Sequence, residues 1–82
     1  MQGLTLTNFS TSDLALSATL ICNNIYLDSI DKSDPRKALF IFKSSQELQK
    51  TIEKYWRGEL RIEPRRYFDN LKSLKARLYG GV

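Results

Sequence analysis

Between Leu14 and Cys22 the chain reads Leu-Ala-Leu-Ser-Ala-Thr-Leu-Ile-Cys, apolar residues interleaved with small ones. Wound into a helix at ~100° per residue, this segment has no polar face, and a helix that is apolar on most sides is a buried one. It is far shorter than the ~20 residues that cross a bilayer, so the burial has to come from other parts of the chain. Whatever this sequence folds into must surround that helix. Ser10 with Asp13 three residues on approximates a capping box, with the carboxylate where the helix dipole favours it, and predicts a first helix over Thr11 to Cys22.

The remaining segments supply the covering elements. Asn23-Asn24 ends the helix, and two strands are predicted over 25–30 and 38–42. Asp31 to Lys37 forms a polar turn between them, making a hairpin with a loop of six or seven residues. Ser44 with Glu47 forms a second capping box, opening a helix whose apolar positions Leu48, Ile52, Tyr55 and Trp56 recur at i, i+4, i+7 and i+8. Trp56, sharing that face, is expected to be a core plug between the second and third helices, so that its truncation would cost about 3 to 5 kcal/mol. Gly58 suits a left-handed C-terminal stop, Leu60-Arg61-Ile62 an extended link, and Pro64 the first position of a third helix running to Tyr79.

Eighty-two residues make one domain, read as an extended lead-in over 1–9, a folded module over 10–79 and a tail over 80–82 closed by Gly80-Gly81. In the lead-in Leu4 and Leu6 alternate with Thr5 and Thr7, a pattern compatible with an edge strand or a free end. The fold class is α+β: helix, β-hairpin, helix, helix, with a two- or three-stranded antiparallel sheet covered by helices.

Catalytic chemistry finds little support. The chain has no histidine, which removes the commonest general base and the commonest metal ligand together. Cys22 lies at the end of the apolar helix and reads as a buried structural thiol. Asp28, Asp31 and Asp34 surround the hairpin turn without the glycine and terminal glutamate of a calcium loop, and Asp34-Pro35 is turn chemistry. The glycines, at 3, 58, 80 and 81, make no phosphate-cradling loop. The expectation is therefore a non-enzymatic protein with no metal and no cofactor. A lone cysteine and an N-terminus without the basic start of a signal peptide point to the cytoplasm, with no membrane partner.

Charge and aromatic content indicate a binding role. Residues 1–41 carry three Lys/Arg against four Asp/Glu, whereas residues 42–82 carry ten against five, so a net charge of +4 is concentrated in the second half. Such a lopsided field favours a polyanion or an acidic protein surface. On the third helix Tyr67, Leu71, Leu74 and Leu78 form a core stripe. About a quarter turn away Phe68, Lys72, Lys75 and Tyr79 alternate rings with cations, with Arg65 close by. Arg57, Arg61, Arg65 and Arg66 cluster around the turn between helices, and at least two of them are expected to pair with Glu53, Glu59, Glu63 or Asp69.

Rings alternating with cations are how sequence-tolerant single-strand platforms are built. The candidate nucleic-acid-binding residues are thus Arg57, Arg61, Arg65, Arg66, Phe68, Lys72, Lys75 and Tyr79, in an accessory subunit of a nucleoprotein complex. The alternative is a protein-interaction module, with these arginines and rings, or the hairpin edge, docking on an acidic protein or a second copy of the domain.

Five segments carry a family resemblance: Ser12-Asp13-Leu14, Phe40-Ile41-Phe42, Tyr55-Trp56-Arg57-Gly58-Glu59-Leu60, Pro64-Arg65-Arg66-Tyr67 and Leu74-Lys75. Over residues 10 to 79 the chain resembles a small uncharacterised prokaryotic family, a domain of unknown function. The resemblance implies a compact module of this size and carries no activity with it.

Overall fold

A computed structural model describes residues 8–79; the lead-in pattern at Leu4 and Leu6 and the Gly80-Gly81 close lie outside the described residues. The order is β1 (Asn8–Thr11), α1 (Leu14–Cys22), β2 (Leu27–Asp31), β3 (Leu39–Lys43), α2 (Gln46–Arg57) and α3 (Pro64–Tyr79). The expected helix, hairpin, helix, helix is present, and β1 precedes it as a third strand. The sheet is antiparallel with order β1-β3-β2. Because both outer strands oppose β3, they run parallel to each other, and α1 is the crossover that carries the chain from one edge to the other.

Burial of α1 follows from its composition. Leu16, Ser17, Ala18, Thr19, Leu20 and Cys22 are all buried, with Phe40 and Phe42 of β3, Leu48 of α2 and Leu74 of α3 completing the enclosed set. The two buried hydroxyls are satisfied within the helix: Ser17 Oγ donates to the Asp13 carbonyl at 2.9 Å and Thr19 Oγ1 to the Ala15 carbonyl at 2.8 Å. In the helical layer α1 sits centrally, and both α2 and α3 pack principally against it.

The sheet turns one face to the helices. On β1, Phe9 and Thr11 lie opposite Phe42 and Phe40. On β2, Leu27 lies opposite Phe42 and Ile30 opposite Phe40, although residues three apart in a regular strand point to opposite faces. A register shift between Leu27 and Ser29 makes Asp28 the extra residue of a bulge, which brings both apolar side chains to the covered face.

The helix caps correct two expectations. Ser10 and Thr11 belong to β1, and the N-cap of α1 is Asp13 itself, with extended backbone and a carboxylate that accepts from Leu16 N at 3.1 Å. Its own N–H donates to Thr11 Oγ1 at 3.0 Å. Similarly, the N-cap of α2 is Ser45, not Ser44; its hydroxyl accepts from Leu48 N at 3.0 Å, and Glu47 lies in the first turn. The C-termini behave as composition dictates. Gly58 has φ 71°, its N–H donating to Tyr55 O at 3.1 Å and that of Glu59 to Lys54 O at 3.0 Å, the Schellman pattern. Asn24 plays the same part after α1, with φ 65° and paired bonds from Asn24 N to Ile21 O and from Ile25 N to Leu20 O.

Trp56 is the largest correction. It is 67% exposed, whereas its neighbour Tyr55 is half-buried against the core. Adjacent helical residues diverge by ~100°, so only one of the two rings can face α1. Tyr55 takes that place, and Trp56 stacks edge-on against it with ring centroids 4.9 Å apart at 80°.

Three outcomes test this packing. In denaturant titrations Phe42→Ala should cost about 3 to 5 kcal/mol, as core truncations of aromatic residues do, and Trp56→Ala less than ~1 kcal/mol. Gly58→Ala should destabilise by about 1 kcal/mol, solely through the left-handed backbone, since an added Cβ would meet nothing within 4 Å. The Tyr55 phenol is held above its ordinary value first by burial and then by the charges of Asp13 and Tyr67. A raised folded-state pKa gives stability that is complete below the ordinary phenol value of about 10 and is lost as pH rises through the raised one. Denaturant midpoints measured from pH 8 upward should therefore fall at alkaline pH, and more steeply in the wild type than in Tyr55→Phe.

Candidate nucleic-acid interface

The start of α3 fixes the orientation of everything on it. Pro64 occupies the first helical position, and the Glu63 carboxylate behind it accepts from Arg65 N at 3.1 Å and Arg66 N at 2.9 Å. Tyr67, Leu71, Leu74 and Leu78 then turn toward α1, with Leu74 fully buried and the other three packed against the core. Two contacts lock the rotation from the opposite flank: Arg66 Nη2 donates to Asn24 Oδ1 at 3.2 Å, and Asn70 Nδ2 reaches Cys22 Sγ at 3.4 Å. Cys22 is a buried, unpaired thiol under that contact.

With the helix so fixed, the second stripe faces outward. Arg65, Phe68, Lys72, Lys75 and Tyr79 are all exposed, Phe68 at 56% and Tyr79 at 77%. The two rings are eleven residues apart, about 16 Å along the axis at 1.5 Å per residue, with the lysines between them. Lys72 Nζ lies 5.5 Å from the Phe68 ring centroid, a cation–π contact that keeps ring and ammonium side by side. Among the described residues none of Arg65, Lys72 and Lys75 has a carboxylate within ion-pair distance.

The four arginines expected to act together separate into two groups. Arg57, at the end of α2, lies 3.5 Å from both Glu53 and Glu59, so its charge is largely compensated in place. Arg66 is drawn to the Asn24 amide on the far side of α3 from the stripe. Carboxylate pairing is expected for at least two of these arginines, but among the described residues only Arg57 is paired, and Glu63 serves instead as a cap. Arg61, on the link between the helices, and Arg65 remain exposed without ion pairs among the described residues.

Two exposed rings were absent from the expected site, Trp56 and Tyr26, the latter 83% exposed. For Trp56 the signal was its adjacency to Tyr55, which admits only one of them to the core. For Tyr26 it was the alternation Ile25-Tyr26-Leu27, in which the flanking residues are the inward ones.

The acidic residues of the hairpin are engaged in turn geometry. The Asp31 carboxylate accepts from both the N–H and the hydroxyl of Ser33, which lowers its pKa below the ordinary carboxylate value. Asp34 Oδ1 accepts from Arg36 N at 2.9 Å. No group of three or more His, Cys, Asp or Glu residues converges as a metal site among the described residues. Nor is any helix among them long and apolar enough to cross a membrane.

No curated protein and no solved structure matches this chain. A family model described as a domain of unknown function, DUF5659, matches residues 7–80. That match takes in every element from β1 to α3, including the exposed stripe, and the chain therefore belongs to the DUF5659 family.

Proposed function

We propose that this domain is a non-enzymatic binding module of the cytoplasm that holds single-stranded nucleic acid without regard to sequence, as an accessory part of a nucleoprotein complex. The observation that carries the reading is the outer stripe of α3: two exposed rings and three cations without carboxylate partners among the described residues, on a helix whose rotation is fixed by its core stripe. Stacking is sequence-tolerant because every base has a π-face, and cations between the rings follow the phosphates. Arg61 extends the positive field at the helix start. Arg57, beside Glu53 and Glu59, and Arg66, turned to the far side of α3, contribute less.

The test is a titration of labelled single-stranded DNA and RNA at several salt concentrations. Log affinity should fall against log salt with a slope near −0.7 per phosphate neutralised. Lys72→Ala should flatten that slope by about one such step, while Tyr79→Ala should weaken binding by about 1 to 3 kcal/mol at nearly constant slope. Absence of binding at ~50 mM salt would overturn the reading. The same stripe would then be better assigned to an acidic protein partner, since exposed aromatic and arginine side chains also anchor protein interfaces.

A further inference from the structure

The end of α3 does not stand alone. Lys32 Nζ, from the loop between β2 and β3, donates to the Arg77 carbonyl at 2.9 Å and so ties that loop to the last turn of the helix. Between them lies an open cleft of about 330 Å³, whose lining includes Lys32, Asp34, Pro35, Arg36 and Tyr79. One wall is thus an exposed aromatic ring and the other a basic turn.

Three features make that turn suited to an anion. Residues 32–38 contain Lys32, Arg36 and Lys37 against the single acid Asp34. The turn is braced internally, by Asp34 Oδ1 accepting from Arg36 N and by Lys37 N donating to Asp34 O at 3.1 Å, so Arg36 is presented on a preformed backbone. The helix C-terminus, whose carbonyls would repel a phosphate, is capped by the Lys32 ammonium. Arg36 and Lys37 are exposed and have no ion pair among the described residues.

We propose that the strand-binding surface continues from α3 onto the β2–β3 loop, the base of one nucleotide stacking on Tyr79 while Arg36 binds its phosphate. This rests on the single-strand reading of the α3 stripe and adds a second element of the fold to it. A guanidinium matches phosphate geometry in a fork, and a ring beside it supplies the stacking surface, so the cleft is complementary to one nucleotide unit.

The experiment uses the full chain and a labelled oligothymidylate, with Arg36→Ala, Tyr79→Ala, the double variant, Lys72→Ala and an exposed α2 control, Lys50→Ala. Arg36→Ala should reduce the magnitude of the salt slope by about 0.7, as loss of one phosphate contact does. Because Arg36 and Tyr79 would hold the same nucleotide, their losses should be non-additive, the double variant falling short of the product of the single losses by about threefold or more. Lys50→Ala should bind as the wild type. If the wild type binds and Lys72→Ala flattens the slope but Arg36→Ala does not, the extension fails and the α3 reading stands. Losses that simply multiply would also overturn the shared nucleotide, and a wild type that binds no strand would overturn both.

Discussion

A helix of nine residues with no polar side cannot rest on a surface; it has to be enclosed, and enclosing α1 organises the other five elements. The sheet supplies a floor through Phe40 and Phe42, Leu48 brings α2 against one flank, and Leu74 with Leu71 and Leu78 brings α3 against the other. The two outer helices lean principally on α1. The arrangement explains why a single stripe on α2 and a single stripe on α3 suffice, and why the opposite faces of both are left for charge and exposed rings. It also explains the third strand. With β1 at one edge and β2 at the other, the floor reaches beyond the width of a hairpin, and Phe9 of β1 joins the core.

Much of this was legible because local chemistry and global packing agree. The apolar run of α1, the period of Leu48 and Ile52, the left-handed stop at Gly58 and the proline at the head of α3 each point to the element that forms. For β1 and for the bulge in β2, the deciding interaction was not local. Ser10 and Thr11 look like the entrance of a helix until β3 is available to pair with them, and the cap then falls to Asp13. The bulge at Asp28 shows only in the register against β3, and without it the Leu27 and Ile30 spacing fits neither face. Trp56 appeared central because it lies on the flank of the α2 stripe, and a helical wheel does not say how wide the opposing surface is.

The same distinction holds for the site. That Phe68, Lys72, Lys75 and Tyr79 share a face follows from spacing alone, and the core stripe beside them sets which way that face looks. Which arginines join them does not follow from spacing. Arg66 is only one residue beyond Arg65, yet a contact to an asparagine 42 positions earlier takes it to the other side, and Arg57 is held by acids within its own turn and the next. Basic residues clustered in sequence are in this case dispersed in space, while those distributed along a helix are brought into line.

The central position of α1 also bears on how the chain emerges during synthesis. The helix leaves the ribosome before Leu48 and Leu74, which cover its flanks. At about 5 to 20 residues per second, the interval between Cys22 and Leu78 lasts roughly three to eleven seconds. Throughout it a strongly apolar segment lacks part of its final cover. Nascent chains of this protein therefore pass through a window in which holding factors at the exit tunnel have something to grip, and the window closes only when the last turn of α3 arrives.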